Sequence, residues 1–317
     1  MRAPSFWQDH GLLPRLLAPL SHVVAGVTAR RVAQPGWRAP VPVVCCGNAS
    51  VGGTGKTTLA LDIGARLLRR GAKVAFITRG YGGNARATMR VEVNHDVTEV
   101  GDEALLLAAV APAYVGRDRA ASARAAIAGG ATVLVMDDGL QNPGLLKDLS
   151  FLVVDGTSGF GNGRVLPAGP LREPVASAAG RCQAAVLIGP DLTGAAFGLP
   201  KSLTNLHASL RAEDAGLAGQ RVLAFAGIGR PAKFFATLAE SGAIVAGQRS
   251  FADHHRFRLA ELQMLARQAD RLGARLVTTP KDAVRLPPDW RGKVTIAGVE
   301  LVWVDEAGFE RLLSEFV

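Results

Sequence analysis

Aromatic residues make up only 6% of this 317-residue chain, and no RNA- or DNA-binding motif accompanies them. Single strands are held on stacked aromatic platforms, so no nucleic-acid partner is expected. The three cysteines, Cys45, Cys46 and Cys182, lack metal-ligand spacing. That excludes a zinc site and a disulfide framework and points to a reducing compartment. Internal repeats and low-complexity tracts are missing, which excludes solenoids and long disordered segments. A signal peptide would leave a mature export domain, which does not suit the strand and turn that follow the apolar N-terminal stretch here, so export is not expected. What is present is a hydrophobic content of 48% with 20% charged residues, a composition for a globular protein with a sizeable core. The formal net charge of +9 calls for a polyanionic partner. With nucleic acid set aside, that partner is a membrane surface or a phosphorylated ligand.

The apolar run Val41-Pro42-Val43-Val44-Cys45-Cys46 leads into Ser50-Val51-Gly52-Gly53-Thr54-Gly55-Lys56-Thr57. Leu59, Ile63, Leu67 and Leu68 then recur at helical spacing. Buried strand, glycine-rich turn and helix are the context of a P-loop. Backbone N–H groups of Ser50 through Thr58 are expected to cradle phosphates at the helix N-terminus. Lys56 reaches the β/γ-phosphates in such loops, and the Thr57 hydroxyl ligates Mg²⁺. One departure is Ser50, where the strict pattern has Gly.

Upstream, Leu12, Leu13, Leu16, Leu17, Leu20, Val23, Val24 and Val27 form an apolar helical stripe. Arg15, Pro14 and Pro19 make it a poor spanning helix. Trp7 and Trp37 flank it, and Arg30, Arg31 and Arg38 follow. An interfacial helix on anionic lipid is expected over 1–38.

Val133-Leu134-Val135-Met136 ends in Asp137-Asp138-Gly139, a hydrophobic strand closing on two carboxylates. Such a Walker B edge holds Mg²⁺ or its water, and either carboxylate qualifies. Beyond it, strands and helices alternate through 222–226, 231–241, 243–248, 259–272, 275–279, 294–298 and a helix from about 306. The fold class is therefore α/β: a P-loop NTPase-type, mostly parallel sheet with flanking helices plus a smaller second αβα domain. The expected domains are a P-loop core over 39–205 and a second α/β domain over 206–317.

Two P-loop classes fail on spacing. A GTPase reads guanine through Asn/Thr-Lys-x-Asp, whereas Thr279-Pro280-Lys281-Asp282 has Lys and Asp adjacent. Partitioning ATPases carry a second lysine early in the loop, and Val51 stands there. A small-molecule kinase needs a base and cations for the transferred group. Candidate bases are Asp102 and the Asp253-His254-His255 cluster; candidate cations are Arg79, Arg117, Arg119 and Arg172. By sequence alone an Asp at a helix start is a cap.

Six motifs in order resemble the tetraacyldisaccharide 4′-kinase (lipid A 4′-kinase) family. They are Gly47-Asn48 with Val51 to Thr57, Arg79-Gly80-Tyr81-Gly82-Gly83, Gly101-Asp102-Glu103, Asp137-Asp138-Gly139-Leu140-Gln141, Leu166 to Glu173, and Phe251-Ala252-Asp253-His254-His255. The resemblance spans essentially the whole chain. It implies transfer of the ATP γ-phosphoryl group, with Mg²⁺, to the 4′-hydroxyl of an acylated glucosamine disaccharide 1-phosphate, giving lipid IVA. It implies a peripheral enzyme on the cytoplasmic face of a Gram-negative inner membrane, with its active site in a cleft between two αβα domains. It implies Asp102 as the base and His254 as its partner. It supports Arg172 and Glu173 as site residues near substrate; Arg119 and Arg172 are candidates to clamp phosphates or neutralise the transition state, and Tyr81 to face substrate or nucleotide. The family usually has His after the Gln of the Walker B motif, and this chain has Asn142, which carries no charge. The rival class is a membrane-recruited P-loop ATPase switch with no lipid acceptor.

Overall fold

The computed structural model describes residues 4–92 and 94–316. The first three residues of the expected 1–38 segment, Val93 and Val317 lie outside the described residues. The chain divides into two compact units. Leu210–Glu300 forms one; the described chain before Leu210 and after Glu300 forms the other.

In chain order the larger unit begins with α1 (Leu12–Val32), β1 (Val43–Gly47), α2 (Lys56–Arg69), β2 (Val74–Thr78) and β3 (Met89–Arg90). It continues with α3 (Val97–Val100), α4 (Asp102–Ala108), β4 (Ala113–Val115), α5 (Arg119–Ala128) and β5 (Val133–Asp137). Then come β6 (Leu149–Asp155), α6 (Val175–Ala179), β7 (Ala184–Ile188) and β8 (Thr204–Ala212). The smaller unit holds β9 (Arg221–Ala226), α7 (Pro231–Glu240), β10 (Ile244–Ser250), α8 (Leu259–Leu272), β11 (Arg275–Thr278), α9 (Pro280–Ala283), α10 (Pro288–Arg291) and β12 (Thr295–Ile296). The chain closes with β13 (Val299–Trp303) and α11 (Glu306–Leu313).

One sheet runs β13-β8-β7-β6-β1-β5-β2-β4-β3. The pairs β6–β1, β1–β5, β5–β2, β2–β4, β6–β7 and β7–β8 are parallel, and β3–β4 is antiparallel. Strands β1, β2, β5, β6 and β7 are buried at every residue. That is why they read as continuous apolar runs, since helices cover both faces of a parallel sheet. On one face Val43, Cys45, Ile77, Leu134 and Met136 pack with α5. On the same face, further along the sheet, Leu152, Val154 and Leu187 pack with Leu171 and α6, while Phe151 on the opposite face meets Phe309. The P-loop leaves β1 between β5 and β6, where ligands collect at the carboxyl ends of parallel strands.

The expected boundaries of the P-loop strand and helix and of the 222–272 elements hold to within about two residues. Strands β8 and β13 lie outside that expectation. In β8 only Leu206 and Ala208 are buried, so no apolar run marks it. Residues 301–317 also pack with the larger unit, whereas the sequence pattern assigned 206–317 to the smaller one. The cause is visible in α11. Phe309 is fully buried, stacks on Trp303 with ring centroids 3.7 Å apart, and lies 5.7 Å from Phe151 of β6. Arg66 on α2 donates to Asp62 at 2.9 Å, to Glu306 at 2.8 Å and to Glu310. The terminal helix is thus latched to the helix that starts at the P-loop.

Helix α1 inverts the usual surface pattern, in which apolar residues face the protein. Its Ser21 is buried and donates to Val165 O at 2.6 Å, and Thr28 donates to Arg172 O at 3.3 Å. Arg31 donates to Gln141 O at 3.3 Å. Leu12, Leu16, Leu20, Val23 and Val27 are exposed. By length and composition α1 is long and apolar enough to cross a membrane. Its polar contacts nevertheless tie it to the loop 165–173.

Truncating Phe309 to Ala removes a buried ring at the junction of α11, β6 and Trp303. Urea unfolding should show a loss of about 3–5 kcal/mol; an unchanged midpoint would mean that α11 adds no stability to the larger unit.

Candidate active site

Gly55 caps α2 in the left-handed region at φ 92°, and Gly52 lies at φ 114°. No side chain caps this helix, so its first N–H groups remain available to an anion. Ser50 tolerates a side chain because it pairs in an antiparallel bridge with Leu171. Val51 N–H donates to Pro170 O at 2.8 Å, and Arg172 N–H donates to Ala49 O at 2.7 Å. The Leu166–Glu173 motif therefore forms a backbone rail along the entry to the P-loop. Val51, Gly53, Thr54 and Thr58 lie on the same loop and first turn. Thr54 accepts from Asn48 Nδ2 at 3.1 Å.

Lys56 and Thr57 open α2 facing the end of β5. The Thr57 hydroxyl donates to Asp137 Oδ2 at 2.9 Å. Asp137 Oδ1 is buried and has no hydrogen-bond partner among the described residues. Burial, then the nearby Glu103 charge, push the Asp137 carboxyl up to about 7, against the pull of Lys56. Asp138 is treated differently. Burial raises its pKa, but Lys56 and Arg172 outweigh that and hold it below the ordinary carboxylate range. Arg172 Nη1 lies 2.8 and 3.0 Å from its two oxygens, and Lys56 Nζ lies 3.8 Å away. Asp138 adopts φ 54°, left-handed for a non-glycine residue. Sequence left the two carboxylates equivalent; the structure gives them different partners.

Arg119 is buried at the start of α5 and donates to Gly116 O. Its Nε has no hydrogen-bond partner among the described residues. Burial lowers its pKa to about 10, with the Asp138 charge opposing the change. Arg119 thus belongs to the field around Asp138.

Glu173, assigned to substrate by its motif, is buried. It accepts from Gln141 Nε2 at 2.8 Å and from Arg181 at 2.7 and 2.8 Å. Gln141 also donates to Asn48 O at 2.8 Å, and its Oε1 lies 3.3 Å from Arg172 Nη1. Glu173 therefore shapes the rail from within. Arg181 and Gln141 are participants that sequence reasoning did not single out. Gln141 stood inside a quoted motif, while Arg181 stands in none.

Asp102 is the first residue of α4 and is buried; its Oδ1 accepts the Glu103 N–H at 3.0 Å. Gly101 precedes it at φ 85°, where an added Cβ would strike Tyr81 O and Gly80. The Arg79–Gly83 and Gly101–Glu103 motifs are thus two halves of one backbone-to-backbone contact. Tyr81 stands exposed on that turn.

His254 belongs to the smaller unit, in a turn after β10, and its φ is 58°. His255 differs from it. Its ring stacks on Phe251 at 4.7 Å and bonds Glu261 at 2.9 Å, so it holds the turn in shape.

A phosphate cradle facing a carboxylate pair, with lysine and arginine converging on one of them, defines a P-loop phosphotransferase. The family model described as tetraacyldisaccharide-1-P 4′-kinase (LpxK) matches residues 13–317. The chain belongs to that family, and it is a kinase. It is 56% identical to tetraacyldisaccharide 4′-kinase of Gluconacetobacter diazotrophicus, over 99% of this chain and 98% of that one. Against the Rhodospirillum rubrum enzyme of the same name it is 48% identical, over 100% of this chain and 98% of the other. It also resembles the crystal structure of LpxK from Aquifex aeolicus in complex with ATP. The TM-score there is 0.77 at 26% identity, covering 96% of this chain and 99% of that one.

Asp137 with one bonded and one orphaned oxygen, beside a threonine hydroxyl, is a hard oxygen donor set that fits Mg²⁺. A carboxyl that titrates at about 7 must lose its proton to bind metal below that pH. Mg²⁺ affinity should therefore fall by up to about tenfold per unit as pH drops below about 7, and level off above it. Calorimetry in buffers of different ionisation enthalpy reads the released proton. Asp137→Asn should abolish the release; a release unchanged in that variant would assign it to another group.

Proposed function

We propose that this chain transfers the γ-phosphoryl group of ATP to the 4′-hydroxyl of tetraacyldisaccharide 1-phosphate, forming lipid IVA. The observation that carries the reading is convergence on the end of β5. Thr57 bonds Asp137, while Lys56 and Arg172 close on Asp138. Kinase catalysis is positioning plus electrostatic stabilisation of the transferred group, and these are the parts it uses.

In this reading the P-loop N–H groups from Ser50 to Thr58 bind the nucleotide phosphates. Thr57 and Asp137 would hold Mg²⁺, which would supply positive charge to the phosphate oxygens. Asp138 acts one step back, as the carboxylate that aligns Lys56 and Arg172. Those two cations, with Arg119, stabilise the charge of the group in flight. Asp102 takes the proton from the 4′-hydroxyl as that oxygen bonds to phosphorus and the bond to ADP breaks. His254 is assigned to the same proton transfer. Tyr81 faces the substrate.

The same reading puts the enzyme on the cytoplasmic face of the inner membrane. Its support is α1, with leucines and valines outward and a basic last turn in Arg30 and Arg31. An apolar face in lipid and cations toward anionic headgroups suit a peripheral helix whose substrate stays in the bilayer.

Two measurements test this function. With labelled ATP, Mg²⁺ and tetraacyldisaccharide 1-phosphate in detergent micelles, label should enter the lipid, and Lys56→Ala should cut the rate about 10²–10³-fold. Phosphate released without labelled lipid would favour an ATPase switch instead. Asp102→Ala should lower kcat about 10²–10⁴-fold with little change in the KM for ATP. Equal loss of ATP binding would remove Asp102 from the role of base.

A further inference from the structure

His254 and Asp138 are the two non-glycine residues with positive φ among the described residues. Strained backbone of this kind persists only where the surroundings over-determine it, and it gathers at functional sites. The cations on Asp138 account for one case. The surroundings of His254 account for the other.

The His254 N–H donates to Gly227 O at 3.0 Å. That carbonyl also accepts from Arg285 Nη1 at 2.8 Å, and the Gly227 N–H donates to Asp282 Oδ1 at 3.0 Å. Arg285 Nη1 lies 3.1 Å from the same Asp282 oxygen, and Thr279 Oγ1 donates to Asp282 Oδ2 at 2.7 Å. The side chains of Asp282 and Arg285 are 0% and 1% exposed. Gly227 is therefore gripped from both sides, its N–H by the carboxylate and its C=O by the guanidinium. Space is equally constrained: a Cβ on Gly227 would lie 3.1 Å from Ala252 O, His255 Cβ and Asp282 Oδ1.

A buried ion pair adds little net stability over a well-packed apolar replacement. Its value here is geometric. We infer that the Asp282–Arg285 pair is a positioning element for His254, fixing through Gly227 the left-handed turn that aims this side chain. The inference rests on His254 acting in proton transfer, as proposed above. Neither member of the pair is a catalytic residue, and both act through one peptide group. The pair sets kcat rather than nucleotide binding, because it acts through His254 and not through the P-loop.

A double-mutant cycle separates this role from plain structural support. Asp282→Asn keeps shape and removes the charge. It should lower kcat about 10²-fold, the scale of a small misplacement at a reacting centre, with the KM for ATP unchanged. In a His254→Ala background the same substitution should cost no more than about twofold, because the group it positions is gone. Equal losses in both backgrounds, or no loss in either, would overturn the positioning role and leave the role of His254 standing. A His254→Ala enzyme with normal kcat would overturn both. Should Asp282→Asn not fold, Gly227→Ala serves the same cycle, since its methyl presses on the turn while every polar group stays. The same non-additivity is expected from it, and full additivity would count equally against the inference.

Discussion

Asp137 and Asp138 leave one buried strand side by side, and the larger unit is organised around keeping their surroundings different. Asp137 stays in the line of β5, out of water, accepting from the Thr57 hydroxyl, with Glu103 nearby. Its charge is costly in that place until a counterion arrives. Asp138 turns out of the strand through a left-handed backbone, a conformation that costs about 1–3 kcal/mol. Lys56 and Arg172 meet it there, and their charges hold it ionised. Two identical side chains thus gain opposite electrostatics from one backbone reversal.

Arg172 is delivered to Asp138 by a loop that serves several partners at once. Its backbone pairs with Ala49 and Val51 at the entry to the P-loop. Glu173 is buried under it against Gln141 and Arg181. Its outer side receives Ser21 and Thr28 of α1. The helix with the exposed leucines and the arginine beside the carboxylates are therefore joined through a single strap, with Thr28 bonded directly to the Arg172 carbonyl. That helix keeps Ser21 and Thr28 on the protein and leaves Leu12, Leu16, Leu20, Val23 and Val27 to the surroundings.

In the smaller unit the same economy recurs with other residues. The peptide of Gly227 is bonded to Asp282, Arg285 and His254, so the turn is defined by hydrogen bonds as well as by close packing. Beside it, His255 is committed to Phe251 and Glu261. Adjacent histidines that look interchangeable in sequence are separated by which one the aromatic cluster absorbs.

Much of this protein was legible before any coordinates. The P-loop, the Walker B strand and the helices of the 222–272 stretch announce themselves through local periodicity and glycine placement. These depend on backbone geometry within a few residues. Family membership followed from six motifs in order, and with it the activity. Tertiary structure decided what depends on distant groups meeting. It distinguished Asp137 from Asp138, drew Arg181 to Glu173, buried Glu173 inside the rail, and returned α11 to the larger unit. Sequence alone determined which chemistry the chain carries, because that chemistry is written in short motifs. Only the fold determined how each charge is answered, because a pKa or an ion pair is set by neighbours that lie far away along the chain.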